Sequence, residues 1–177
     1  MGDTKSAKRL RAMALRGTLT RQGTIRPKPY SDEWFTPPAI PQALGLFDLD
    51  PCAGPMNHAV RNFRLIHGED GLTRPWVGRV WLNPPYSNVH EWLERMIDHN
   101  DGVALVNARP ETQWFQRAAA PALGCLWLQR RIDFIRPDGR PTHPPVGSVL
   151  LAYGEAAAEA LRNCGLTGLQ MSISRPL

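Results

Sequence analysis

The chain has 177 residues, of which 42% are hydrophobic and 21% are charged, and its formal net charge is +5. A chain of this size and composition is expected to fold as one domain with an ordinary core, which excludes a disordered or fibrous protein. We expect neither a secretory signal nor a membrane span, because no apolar stretch is long enough for either.

The cysteines and histidines form no pattern typical of a metal site. Cys52, Cys125 and Cys164 are far apart, and the sequence contains neither Cys-x-x-Cys nor His-Glu-x-x-His. An odd number of scattered cysteines is typical of a reducing compartment. We therefore predict a cytoplasmic protein without a bound metal.

Residues 1–30 carry nearly all of the excess positive charge. They hold eight basic residues against Asp3, a net charge of +7, whereas the rest of the chain has 13 basic and 15 acidic residues. Basic residues spaced among Gly, Thr and Ser predict a flexible arm that contacts nucleic-acid phosphates without reading sequence. The alternative is a solvating tail or an expression remnant. Residues 31–177 are predicted to form the single folded domain.

Three short segments beyond the arm are candidates for ligand binding. In Trp34 to Pro38, Thr36 offers a hydroxyl and an amide to a ligand, or it caps a helix that runs from Ala39 to Leu44, and the two interpretations are compatible. The segment Asp48 to Gly54 follows the apolar pair Leu46-Phe47, which predicts a first strand and its outgoing turn, although such a turn is also common without a ligand. Asp70-Gly71-Leu72 is either a ligand contact or a solvated loop.

The segment Asn83-Pro84-Pro85-Tyr86 carries the most specific pattern. It follows the apolar run Val80 to Leu82, which predicts a buried strand. Apolar residues at helical spacing come next, and Asn88 with Glu91 forms a plausible capping pair for that helix. Proline cannot donate, so the carbonyls of this loop stay available as acceptors. The segment is therefore either a site that receives hydrogen bonds or a strand-ending turn with a partly buried tyrosine.

The remaining periodicity predicts an α/β fold. We expect strands at 103–108, 125–128 and 148–153, and helices at 112–119 and from Glu155 to about Asn163. Alternating strands and helices predict a mostly parallel sheet with a mixed edge. Only 28 residues, 55–82, separate Gly54 from Asn83. This is too few for two full β-α units, so the sheet is predicted to be reduced on that side.

Basic residues also cluster between Gln129 and Gly147, around a Pro-Asp-Gly turn that predicts a hairpin or long loop. Arg131, Phe134 and Arg136 are the candidates there for contacts with nucleic-acid phosphates and bases. A solvated hairpin explains them equally well. Arg109 and Trp114, which follow the strand predicted at 103–108, are expected to line the same binding surface, although packing also accounts for Trp114.

The chain resembles the small phage-type DNA N6-adenine methyltransferases in four segments that occur in the same order. These segments are Trp34-Phe-Thr-Pro-Pro38, Phe47-Asp-Leu-Asp-Pro-Cys-Ala-Gly54, Asp70-Gly-Leu72 and Asn83-Pro-Pro-Tyr86. The likeness covers residues 34–87 strongly and 103–153 loosely. It implies a reduced Rossmann-like fold, S-adenosylmethionine as cofactor, and DNA as partner, either double-stranded with base flipping or single-stranded. It also implies action in the cytoplasm of a bacterial host or phage-infected cell. Asp50-Pro51 and Gly54 match the family's Asp-Pro-Phe-x-Gly-Ser-Gly loop, but Met56 stands at its second glycine and Cys52 at its aromatic position.

The resemblance assigns a role to each candidate residue. As catalytic residues it implies Asn83 and Pro84, which accept both N–H bonds of the adenine amine, and Tyr86, which stacks on the base. As further substrate contacts it implies Pro85, Ser87, Arg109, Arg131, Phe134 and Arg136. As cofactor contacts it implies Trp34, Thr36, Pro37, Asp48, Asp50, Pro51, Cys52, Ala53, Gly54 and Asp70.

Two other functions fit the same residues. Asn-Pro-Pro-Tyr serves the planar amide of glutamine equally well, which allows a methyltransferase acting on protein. The missing glycine allows a DNA-binding module that keeps the fold without turnover. The basic arm favours DNA over protein as the substrate.

Overall fold

Seven strands of the described residues form the central sheet. The computed structural model describes residues 34–63, 70–136 and 139–172. The sheet strands in chain order are β1 (Leu49–Asp50), β2 (Arg61–Asn62), β3 (Val80–Leu82), β4 (Gly102–Asn107), β5 (Gly124–Leu128), β8 (Ser148–Tyr153) and β9 (Gly168–Ser172). Two further strands, β6 (Phe134–Ile135) and β7 (Pro141–Thr142), form a separate hairpin. The α-helices in the described parts of the chain are α1 (Ala39–Ala43), α2 (Val89–His99), α3 (Gln113–Ala119) and α4 (Glu155–Asn163).

The strand order is β2-β1-β3-β4-β8-β5-β9. The pairings among β2, β1, β3 and β4 are parallel, whereas β8 is antiparallel to both β4 and β5, and β9 is antiparallel to β5. Strands β1 to β5 therefore all run in one direction, and only β8 and β9 oppose them. This is the predicted mostly parallel sheet with a mixed edge.

Hydrophobic residues cover both faces of the sheet. On one face, Leu82 and Val106 pack with the apolar sides of α2 and α3. On the other, Trp81 and Leu105 pack with α4, the segment before β1 and the β6–β7 hairpin. Neighbouring residues of β3 and of β4 alternate between the faces, as the period of two in a strand requires. The loops that follow β1 and β3 consequently lie at the same edge of a doubly covered sheet, where α/β proteins bind ligands.

Most of the predicted elements are confirmed. The predicted strands at 80–82 and 148–153 and the helix Glu155–Asn163 have the expected bounds, and the other predicted strands and helices differ by a residue or so. The reduced side is also confirmed, because the only strand described beyond β1 is the two-residue β2.

The first strand lies in the segment predicted for it, since Leu49–Asp50 falls within Asp48 to Gly54, whereas two predicted helix caps were wrong. Asn88 precedes α2 without capping it, and its side-chain oxygen accepts instead from Trp92 Nε1 at 3.2 Å. A 3₁₀ turn, Tyr86–Asn88, enters the helix in place of the predicted cap.

The second wrong cap concerns Thr36. Helix α1 begins after Pro38, and no side chain caps it. Thr36 is buried, and its hydroxyl has no hydrogen-bond partner among the described residues. The predicted N-terminal arm lies outside the described residues.

Candidate active site

Asn83 lies directly after β3 and is held in a defined orientation. Its side-chain nitrogen donates to the carbonyl oxygen of Trp34 at 2.7 Å. A carbonyl can only accept, so this contact assigns the nitrogen and oxygen ends of the amide. The Asn83 side-chain oxygen is therefore the end left to accept a hydrogen bond from a ligand.

The two prolines keep the following loop out of the helix. Pro84 is buried, and Pro85 is extended, with φ −63° and ψ 136°. Within the described residues, no donor bonds to the Pro84 carbonyl. The loop thus holds two acceptors one residue apart, the Asn83 side-chain oxygen and the Pro84 carbonyl.

Tyr86 supplies a fixed aromatic ring beside these acceptors. The ring is partly buried against the core, and its hydroxyl accepts from the backbone amide of Asn107, at the end of β4, at 2.7 Å. Burial raises the pKa of Tyr86 above its ordinary value, while the Asn107 hydrogen bond and the positive charge of Arg109 partly oppose the shift. The side chain is therefore an uncharged ring, with Arg109 near its hydroxyl.

The loop after β1 lies against the Asn83 loop. The Cys52 thiol donates to the backbone carbonyl of Asn83 at 3.2 Å, and the Cys52 amide donates to the buried carboxylate of Asp50, also at 3.2 Å. Burial, and after it the charge of Asp50, raises the pKa of Cys52, so the thiol keeps the proton that it donates. The two loops singled out in the sequence are thus in direct contact.

Two other segments pack onto the Asp50 loop. A Cβ on Gly54 would lie 2.2 Å from the Phe35 ring, so the segment around Thr36 lies directly against this loop. A Cβ on Gly71 would lie 1.8 Å from the Pro51 carbonyl oxygen. The Asp70 carboxylate meanwhile accepts from the Leu72 amide at 3.0 Å and shapes its own turn. The structure therefore brings together all four segments predicted to form the site.

Several predicted cofactor contacts have other partners. Asp48 precedes β1, and its exposed carboxylate accepts from the Arg79 amide at 2.7 Å. The Pro37 carbonyl accepts from the Ile40 amide at 3.1 Å, and Ala53 is bonded through its amide to the Phe63 carbonyl at 3.0 Å. Asp50, rather than Asp48, is the acidic residue at the end of β1 that leads into the loop.

Asn62 was not among the residues that the sequence predicted for the site. It lies opposite Asp50 in the β1–β2 pairing, and its side-chain nitrogen donates to the Ala59 carbonyl at 2.8 Å. Its side-chain oxygen is buried without a partner among the described residues. A cavity of about 380 Å³ adjoins it, lined by Arg61, Asn62, Phe63, Arg74 and Pro75. A polar dipeptide between loops carries no periodicity, so nothing in the sequence pointed to it.

The predicted hairpin at 129–147 is confirmed as β6 and β7, and it adjoins the site. Ile135 pairs with Phe35 through two backbone hydrogen bonds, of 2.9 and 3.0 Å. Phe134 is buried with its ring edge against Trp34, whereas Arg131 is exposed. Arg136 donates to the Thr142 hydroxyl at 3.1 Å. The exposed surface of this hairpin is basic, and the buried Phe134 packs against Trp34.

The other predicted substrate contacts lie near the Asn83 loop. Ser87 is exposed in the 3₁₀ turn, and Arg109 is exposed and paired with Glu111 at 3.7 Å. In the described parts of the chain, no three acidic, histidine or cysteine side chains are grouped to hold a metal ion. Nor is any helix there long and apolar enough to cross a membrane.

In this mostly parallel sheet, the acidic loop after β1 contacts the Asn-Pro-Pro-Tyr loop after the adjacent strand β3. This arrangement defines a Rossmann-like methyltransferase fold. The chain belongs to the DNA N-6-adenine-methyltransferase (Dam) family, whose model matches residues 23–153.

Two phage proteins, both named DNA N-6-adenine-methyltransferase, are similar to the chain. The protein of Haemophilus phage HP1 (strain HP1c1) is 38% identical over 96 residues, which cover 50% of this chain and 55% of that protein. The protein of Escherichia phage T1 is 32% identical over 119 residues, which cover 61% of this chain and 49% of that protein. The chain thus spans about half the length of the curated relatives that it matches.

Proposed function

We propose that the protein transfers a methyl group from S-adenosylmethionine to the N6 amino group of adenine in DNA. The observation that carries the proposal is the orientation of Asn83. Its amide nitrogen is bonded to Trp34, so its oxygen remains to accept from an amine, and its backbone touches the Asp50 loop through Cys52. Membership of the Dam family and the names of the two phage relatives support the same reaction.

The residues around the Asp50 loop fit S-adenosylmethionine. The buried hydroxyl of Thr36 and the buried oxygen of Asn62 lack partners among the described residues, and both belong to segments that contact this loop. Buried polar atoms without partners are unfavourable unless a ligand satisfies them. We propose that Asp50 and its neighbours hold the amino-acid part of the cofactor and that Asn62 and the adjoining cavity receive its nucleoside part. The bound cofactor would supply an electrophilic methyl group on a sulfonium.

Asn83 and Pro84 would act on the target amine. Adenine N6 is a weak nucleophile because its lone pair is delocalised into the ring. Accepting its two N–H bonds on the Asn83 side-chain oxygen and the Pro84 carbonyl favours a pyramidal nitrogen and stabilises the positive charge that develops on it. Asn83 would not act as a general base, because an amide does not take up a proton at neutral pH. No base is needed before transfer, since the N6 proton would leave to solvent after the methyl has moved from sulfur to nitrogen.

DNA would reach this loop with the target adenine outside the base stack. A base within a duplex cannot enter such a site, so the adenine is either flipped out or already single-stranded. The exposed side chains of Arg109 and Arg131 would contact the DNA backbone. The phage origin of both named relatives supports action in the cytoplasm of a phage-infected bacterium.

The reaction is tested by incubating the protein with methyl-labelled S-adenosylmethionine and, separately, with unmethylated duplex DNA or a protein extract. We expect label in DNA, and digestion to nucleosides should place it in N6-methyladenine. Label in protein glutamine would support the protein methyltransferase instead. DNA binding without any transfer would support a module that keeps the fold but not the activity.

Tyr86 should contribute through its ring more than through its hydroxyl. Tyr86→Phe removes the acceptor for the Asn107 amide and should lower the free energy of unfolding by about 1 kcal/mol while most of the transfer rate remains. Tyr86→Ala also removes the stacking surface and should weaken binding of an adenine-containing oligonucleotide by about 1–3 kcal/mol. Urea unfolding and fluorescence anisotropy measure the two effects, and equal oligonucleotide affinity for both variants would refute the stacking role.

Residues 1–29 should add DNA affinity that depends on salt. Deleting them removes a net charge of +7, so the slope of log affinity against log salt should become shallower, by at most about 6 if each charge contacts a phosphate. A full-length variant with the eight basic residues changed to glutamine should behave like the deletion. An unchanged salt slope in both variants would dismiss the arm as a DNA contact.

A further inference from the structure

Arg95 connects the helix after the Asn83 loop to the segment 70–75, here called the 70–75 loop. It lies on α2, and its guanidinium donates to the Leu72 carbonyl at 2.7 Å and to the Arg74 carbonyl. The same group lies 5.1 Å from the centre of the Trp76 ring, whose Nε1 donates to the Gly71 carbonyl at 2.7 Å. Arg95 therefore donates to two carbonyls of the 70–75 loop and packs on Trp76, which donates to a third.

The opposite side of the 70–75 loop faces the proposed cofactor site. Gly71 lies directly on the Pro51 carbonyl, and Arg74 and Pro75 line the cavity beside Asn62. Trp76 also stacks on Trp92 of α2, with ring centres 6.4 Å apart. A shift of this loop relative to α2 would thus change both the cavity wall and the surface on which the Asp50 loop rests.

We propose that Arg95 is a positioning residue for S-adenosylmethionine, which holds the 70–75 loop so that the cavity beside Asn62 keeps the shape of the cofactor. This inference rests on the proposed function. Arg95 does not line the cavity, so it acts through Leu72 and Arg74 rather than by touching the cofactor. The planar fork of arginine bonds two carbonyls at fixed spacing, which a lysine ammonium does not reproduce.

The test is cofactor affinity measured by titration calorimetry well below the melting temperature, together with steady-state kinetics. Arg95→Met should raise the dissociation constant for S-adenosylmethionine by roughly ten-fold or more, as misplaced binding groups commonly do, while the rate at saturating cofactor stays within about two-fold. Arg95→Lys should fall between the wild type and Arg95→Met. Arg117→Met is the matched control, since Arg117 is 75% exposed and its ion pair is with Glu94 on the outer side of α2.

The outcomes separate this inference from the proposed function. If Arg95→Met and Arg95→Lys bind the cofactor as the wild type does and only the melting temperature falls, Arg95 is structural and the inference is wrong. A fall in the saturated rate with unchanged affinity would also overturn it. If the wild-type protein itself does not bind S-adenosylmethionine, the proposed function fails first. If Arg95→Met does not fold, Arg95→Lys serves as the test. Wild-type affinity of Arg95→Lys for S-adenosylmethionine would then overturn the inference.

Discussion

Replacing Asn83 by alanine is expected to lower the methyl-transfer rate by about 10²–10³-fold, the usual effect of removing one preoriented group that stabilises transition-state charge. The amide oxygen is one of two acceptors for the target amine. Cofactor affinity should change little, because Asn83 meets the Asp50 loop through its backbone carbonyl, which alanine retains.

Two further variants make the Asn83 test specific. Asn83→Asp keeps a side-chain acceptor, but it loses the donor to the Trp34 carbonyl and adds a negative charge beside that oxygen. It should therefore be slower than the wild type and faster than Asn83→Ala. Asn163→Ala, at the exposed end of α4, is the matched control and should behave as the wild type. Single-turnover rates and calorimetric titration measure transfer and cofactor binding separately. Equal loss of both in Asn83→Ala would show that the residue is structural.

Gly71→Ala is expected to disturb the cofactor site through backbone packing. The added Cβ would lie 1.8 Å from the Pro51 carbonyl oxygen and 2.7 Å from its carbon, and a backbone neighbour cannot move aside by changing rotamer. The chain must shift at Gly71, at Pro51 or at both. We expect the free energy of unfolding to fall by about 1–3 kcal/mol, typical of overpacking, and the affinity for S-adenosylmethionine to fall with it.

Gly147→Ala is the matched control for Gly71→Ala. Nothing lies within 4 Å of a Cβ at Gly147, and its φ is outside the left-handed region. This variant should be as stable as the wild type or slightly more so, because alanine reduces the entropy of the unfolded chain. Urea unfolding with and without cofactor measures both variants. A Gly71→Ala protein with wild-type stability and affinity would contradict the contact between the 70–75 loop and the Asp50 loop.

The sheet was predictable where strands are buried on both faces. Runs such as Val80 to Leu82 and Ser148 to Tyr153 are mostly apolar and buried throughout, and the helices between them bury one clear stripe. Strands β2 and β9 were not predicted, because β2 is the polar pair Arg61–Asn62 and every residue of β9 is exposed. Such strands form by pairing with a neighbour already in place, and no periodicity in their own sequence indicates it.

The site was predictable as a set of loops but not as a set of contacts. Asn83 and Asp50 stand in recognisable motifs, yet the bond between Asn83 and Trp34 joins residues 49 positions apart and depends on the register of the whole sheet. Asp48 and Asp50 could not be told apart, since the strand boundary decides which of them enters the loop. Arg95 looks like a solvated helix residue in the sequence, and only the course of the 70–75 loop gives its side chain two carbonyl partners.

The central claim is that one edge of the sheet brings the Asn83 acceptors and the Asp50 loop together to methylate adenine. Its most direct test is nucleoside analysis of DNA from bacteria that lack N6-methyladenine and that express either the wild-type protein or Asn83→Ala at equal levels. We predict N6-methyladenine in the DNA of cells with the wild-type protein and almost none with Asn83→Ala. Unmodified adenine in both, from cells that contain folded wild-type protein, would contradict the claim.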